Sequence, residues 1–157
     1  MNCSKGCCSL KITHWDSDVD RDVDDRRGIN TDKAGVLLYD QTTDRILVVQ
    51  SRGNMWGIPK GTRKSEESFT ECAIREVLEE TGIEMDASSL DFYIGICDSR
   101  YFIVNYAVCD VEVQEGSGND ANGIGWIRVD CLLDLSDRSD IKLTSHTSKL
   151  LEKLFKR

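Results

Sequence analysis

Proline occurs once in the 157 residues, and no apolar stretch approaches the roughly 20 residues that a membrane-crossing helix needs. The opening segment, MNCSKGCCSLKITHW, lacks the hydrophobic run of a secretory signal. Neither a membrane partner nor secretion is therefore expected. No internal repeat or linker interrupts residues 33–157. Lys and Arg together number 20 against 28 Asp and Glu, a net charge of −8. That balance argues against general attraction to nucleic acid, while leaving room for a local basic patch. The seven cysteines are odd in number and show no repeated paired spacing, so no disulfide framework is indicated. Cys72, Cys97, Cys109 and Cys131 fall within periodic segments and read as buried free thiols. Cys3, Cys7 and Cys8 cluster near the start and, with His14, offer zinc ligands, although their spacing fits no standard zinc site. A reducing compartment, cytoplasmic or nuclear, is expected.

What is present is an ordinary mixture, 39% hydrophobic and 31% charged, long enough for one domain with a real core. Residues 1–32 show no sustained period. They include the acidic run Asp16–Asp25, which lacks the central glycine and closing glutamate of a calcium loop and reads as a loosely attached arm. Residues 33–157 form the domain proper. Ala34–Tyr39 and Ile46–Gln50 are β-rich runs joined by a polar loop, hence a hairpin. Leu90–Cys97 and Tyr101–Val111 read as two more strands, and a glycine- and asparagine-rich loop over 115–125 precedes a short strand, Trp126–Val129. Ser145–Arg157 reads as an amphipathic helix, with Leu150, Leu151, Leu154 and Phe155 inward and Lys149, Lys153, Lys156 and Arg157 basic. The fold class expected is α/β, a mixed sheet between helices.

The most informative stretch is Trp56–Ile83, WGIPKGTRKSEESFTECAIREVLEETGI. A turn around Pro59 and a basic run, Lys60, Arg63 and Lys64, lead into an acidic helix. Ser65 is a fair N-cap, placing Glu66 and Glu67 in the first turn, and Gly82 suits the C-terminus. Glu76, Glu79 and Glu80, at i, i+3 and i+4, point off one side. Carboxylates about 6 Å apart repel by roughly 3 kcal/mol at an effective dielectric near 20. A solvated acidic face tolerates that repulsion; a divalent cation offsets it directly. Oxygen-only ligands suit Mg²⁺ or Mn²⁺, and no histidine or cysteine joins the group as zinc would prefer.

Spacing adds a second line of reasoning. Gly61, five residues, Glu67, seven residues, then Arg75-Glu76-Val77-Leu78-Glu79-Glu80-Thr81-Gly82-Ile83 resembles the Nudix box at every position. The resemblance implies an α/β/α sandwich and hydrolysis of a phosphoanhydride in a nucleotide-type substrate. It implies that Glu76 and Glu80 are the principal metal ligands, joined by Glu79 and the Gly61 carbonyl. It further implies that Arg75 orients the acids and that Glu67 holds loop and helix together. Lys60, Arg63 and Lys64 lie where substrate phosphates would be clamped, or where a loop needs soluble side chains.

The flanks of the box resemble the catalytic domain of eukaryotic mRNA-decapping enzymes. There an acid precedes a strand in the pattern Glu-x-x-x-Ile-x-Trp; here Asp120, a shorter acid, stands at the Glu position before Ile124 and Trp126, and the resemblance makes it the candidate general base. The resemblance implies capped RNA as substrate, with 7-methyl-GDP released. The acidic balance, and the expectation that 32 residues cannot form the regulatory domain preceding such catalytic domains, point instead to dinucleoside polyphosphates, inositol pyrophosphates or other small nucleotide derivatives. A Nudix fold used only to bind RNA or protein is a third reading, one usually marked by a degenerate box.

Overall fold

The computed structural model describes residues 1–12, 32–51, 55–114 and 121–155. Among these, β1 (Lys11–Ile12), β2 (Lys33–Asp40), β3 (Arg45–Ser51), β4 (Met55–Gly57) and β5 (Lys60–Thr62) precede α1 (Phe69–Thr81). A 3₁₀ turn at Ala87–Ser89 leads to β6 (Tyr93–Ile96), β7 (Ser99–Asn105) and β8 (Ala121–Arg128). The chain then runs through α2 (Val129–Asp137), β9 (Lys142–Leu143) and α3 (Ser145–Leu154). None of these helices is long and apolar enough to cross a membrane.

The sheet has the order β1-β8-β3-β2-β7-β6 and is mixed, with β2 and β7 parallel and the other neighbours along this path antiparallel. The central strands carry apolar residues at consecutive positions because both faces are covered. On one face Val36, Leu38, Leu47 and Val49 pack with Cys72, Ala73 and Val77 of α1. On the other, Leu37, Ile46 and Val48 pack with Leu132, Leu135, Leu150 and Leu151 of α2 and α3. The result is a sandwich of helices about a mixed sheet, as the sequence implied.

One irregularity places the site. β2 and β3 pair only at their hairpin end, Tyr39 with Ile46 and Asp40 with Arg45. Beyond it they fork: β3 pairs with β4 through Val49–Ser51, and β2 pairs with β5 through Lys33–Gly35. Residues 58–59 bridge the fork. Pro59, which has no N–H to leave unpaired, accepts from Val36 N–H at 3.1 Å. The fork brings β5 alongside α1, next to Cys72, Glu76 and Glu80.

Several expectations need correction. The helix begins three residues later than Ser65 implied: Ser68 is the N-cap and accepts from Glu71 N–H. Glu66 has φ +67°, incompatible with a helical turn, and Glu67 accepts from Lys64 N–H, so both lie in the preceding loop. At the other end Gly82, φ +77°, closes the helix through its N–H to Leu78 O.

The strand expected at Trp126–Val129 starts at Ala121, and Val129 instead opens α2, a helix that sequence reasoning missed. β7 stops at Asn105, since β2, its partner, ends at Asp40. Cys97 and Cys109 are exposed rather than buried; Cys97 occupies a positive-φ position in the tight turn joining β6 to β7. Residues 1–12, expected within a loose arm, pack onto the domain. Lys11 and Ile12 pair with Ile124 and Gly123, and Cys3, Cys8 and Leu10 are buried. The acidic run Asp16–Asp25, His14, Lys156 and Arg157 lie outside the described residues.

Candidate active site

Helix α1 lies against the sheet through its small residues Cys72 and Ala73, which brings its acidic side beside β5. Contact is close at Gly61. A Cβ added there would sit 2.1 Å from the Glu76 carboxyl group, so any other residue displaces that carboxylate. The Cys72 thiol donates to Gly61 O at 3.6 Å, a second tie between β5 and the helix.

Arg75 organises the acids. Its Nε and Nη2 reach the two Glu67 oxygens at 2.8 and 2.9 Å, a bidentate pair. Its Nη1 donates to Glu76 at 2.8 Å and to Glu79 at 3.3 Å, and Nη2 also reaches Thr62 O at 3.2 Å. Glu67 is thus held between α1 and the loop, and its carboxyl is lowered to about 2, chiefly by the Arg75 hydrogen bonds. Glu80 faces the opposite situation. It accepts from Lys60 N–H at 3.1 Å. Burial, followed by the charge of Glu76, pushes its carboxyl up to about 8. Glu76 is also raised, first by burial. Two inward acids therefore sit where their own charge is disfavoured, and one of them has Arg75 as counter-ion.

Lys60 is lowered to about 8 by burial and then by Lys33. His146, whose Nδ1 meets the Tyr101 hydroxyl, is lowered by burial and then by Lys60, Lys149 and Lys33. Lys60 thus lies near the carboxylates Glu76 and Glu80 as well as near Lys33 and His146. Lys33, Tyr101 and His146 escaped sequence reasoning. Their only local signal is the inward alternation of Tyr101 in a strand, and that reads equally well as core.

Of the expected phosphate-clamping residues, Lys60 lies with this group. Arg63 is occupied elsewhere, paired to Asp32 at 3.1 Å, donating to Glu67 O at 3.0 Å and stacked over Phe69. Lys64 is exposed and contributes its backbone N–H to Glu67. Asp120 lies outside the described residues. The donor set Glu76, Glu79, Glu80 and the Gly61 backbone is all oxygen, with Glu76 and Glu80 part-buried and Glu79 exposed, and it fits a hard divalent cation.

Comparison with known proteins agrees with this fold. The NUDIX domain family model matches residues 30–147. The chain is 33% identical over 153 residues to "Putative hydrolase 111R" of Invertebrate iridescent virus 3, covering 95% of this chain and 85% of that protein. It is 30% identical over 109 residues to mRNA-decapping enzyme subunit 2 of Arabidopsis thaliana, covering 66% of this chain but only 29% of that protein. Among solved structures, a bifunctional NMN adenylyltransferase/ADP ribose pyrophosphatase from Francisella tularensis superposes with a TM-score of 0.63. The match has 18% identity and covers 80% of this chain and 41% of that one, a likeness of fold.

A carboxylate helix beside a forked β-sheet, with the box intact, defines a hydrolase of phosphoanhydrides. The chain belongs to the Nudix family, whose members act on nucleotide-linked substrates and use divalent metal ions.

Proposed function

We propose that this enzyme hydrolyses the triphosphate bridge of the RNA 5′ cap, releasing 7-methyl-GDP and leaving a 5′-monophosphate end, with Mg²⁺ or Mn²⁺. Support for the chemistry comes from one juxtaposition: the part-buried carboxylates Glu76 and Glu80 of α1 lie beside Lys60 of β5, whose N–H donates to Glu80 at 3.1 Å. Support for the substrate comes from the flanks of the box and from the 30% identity to a decapping subunit.

Glu76, Glu80, Glu79 and the Gly61 carbonyl would hold the cation. When bound, such an ion neutralises charge developing on the departing phosphate and acidifies a water. Arg75 keeps Glu76 and Glu79 oriented through Nη1 while Glu67 fixes the guanidinium. Lys60 and Lys33 bind the non-bridging phosphate oxygens, which carry too much charge to enter an acidic pocket alone. Lys149, exposed on the first turns of α3, meets the following phosphates of an RNA body.

The net charge of −8 favours a second reading, a small nucleotide substrate. The test is a panel: RNA labelled in the cap, diadenosine tetraphosphate and an inositol pyrophosphate, each with Mg²⁺ or Mn²⁺. Release of labelled 7-methyl-GDP at the fastest rate is expected. Intact capped RNA beside rapid turnover of a small substrate would overturn the decapping assignment.

A further inference from the structure

On the far side of the sheet from α1, a second cluster of ligand atoms lies outside anything the hydrolytic site uses. Cys3, Cys7, Cys8 and Cys131 bring four sulfurs within 4.8 Å of one another. Three of the separations are 3.6 Å (Cys3–Cys7), 3.7 Å (Cys7–Cys8) and 3.5 Å (Cys7–Cys131). A disulfide requires about 2.05 Å, and all four cysteines are free thiols. A tetrahedral zinc with bonds of about 2.3 Å separates its sulfurs by about 3.8 Å. We propose that Cys3, Cys7, Cys8 and Cys131 bind one Zn²⁺ in a structural, all-thiolate site that fastens the N-terminal hairpin to α2.

The local fold is built for it. Residues 2–9 form a tight loop closed by Cys3 N–H to Cys8 O at 3.0 Å and Gly6 N–H to Cys3 O at 3.1 Å, with Gly6 at φ +73°. Without a Cβ, Gly6 makes the turn that points Cys3, Cys7 and Cys8 the same way. The fourth sulfur comes from Cys131 in the first turn of α2. Arg128, the N-cap of that helix, lacks a side-chain cap and donates its backbone N–H to Cys8 Sγ at 3.4 Å. Arg45 reaches Cys7 O at 3.0 Å and Cys8 Sγ at 3.9 Å, a cation beside a site that would carry two negative charges. Cys3, Cys8 and Cys131 are buried, while Cys7 is exposed and provides the path of entry.

Soft thiolates select zinc just as the hard glutamates of α1 select magnesium or manganese, so the two sites do not compete. On binding, each thiol that ligates gives up its proton to solvent.

The test is metal analysis of the full-length reduced chain after dialysis. About one zinc per chain is expected. The content should persist in the Glu76→Gln/Glu80→Gln double variant and in Cys109→Ser, but fall at least about tenfold in Cys7→Ser and Cys131→Ser. Because Cys131→Ser removes a core side chain, a second measurement uses the unaltered protein. Co²⁺ added to the zinc-stripped chain should give the thiolate-to-cobalt absorption of a tetrahedral site, abolished by one equivalent of Zn²⁺. Absence of that absorption together with absence of zinc, iron in place of zinc, or full zinc content in both cysteine variants would overturn the proposal. None of these outcomes depends on the RNA cap being the substrate.

Discussion

Two clusters of ligand atoms lie on opposite faces of one sheet, and they solve opposite problems. The glutamates of α1 crowd like charges where burial disfavours them, and they are steadied by donors, Glu76 and Glu79 by Arg75 and Glu80 by the Lys60 N–H. The cysteines beside α2 lie against one another, Cys3, Cys8 and Cys131 buried in the core and Cys7 exposed. An all-oxygen cluster left open suits exchange of metal, water and substrate. An all-sulfur cluster that is nearly closed suits permanence.

The sharpest way to break this contrast is at Glu80. Glu80→Gln should lower turnover at least about a hundredfold while leaving the melting temperature unchanged or higher, because a neutral amide suits that buried position. A variant that keeps its rate would contradict the role given to the carboxylate. Next comes Gly61→Ala. Its Cβ would collide with the Glu76 carboxyl, so turnover should drop about tenfold or more with a loss of roughly 1–3 kcal/mol in denaturant unfolding.

Arg75→Lys removes the bidentate grip on Glu67 and should destabilise by about 1–3 kcal/mol. It also tests a pH dependence. Glu67 has a folded value of about 2, below its ordinary 4.5. Its contribution is therefore fully present above pH 4.5 and is lost as pH falls towards 2. Unfolding measured across that window should show the unaltered chain losing stability faster than the lysine variant. The smallest effect is expected at Cys109→Ser, an exposed thiol outside the sulfur cluster, within about ±0.5 kcal/mol. A large change there would mean that the cysteines act more widely than as four ligands.

Much of the oxygen site was legible because it is local. One contiguous run carries Gly61, Glu67, Arg75 and the three acids, and a helical period turns spacing into facing. What escaped notice was non-local or conformational. The N-cap moved to Ser68 because Glu67 turned back to bind Lys64 and Arg75. Helix α2 went unread because its short apolar sequence, VDCLLDLSD, continues a β-rich segment without a capping side chain. Lys33 and His146 join Lys60 from elements on either side of it in the chain, 27 and 86 residues away.

The chemistry class was written into the order of residues, since backbone periodicity alone arranges side chains three and four apart on a helix. Pairing across long loops obeys no such period. That Cys131 meets Cys7, 124 residues earlier, and that Lys60 reaches Glu80 both follow from strand order and from the fork between β2 and β3. Those arrangements arise because one sheet must be covered on both faces, a requirement of the whole chain.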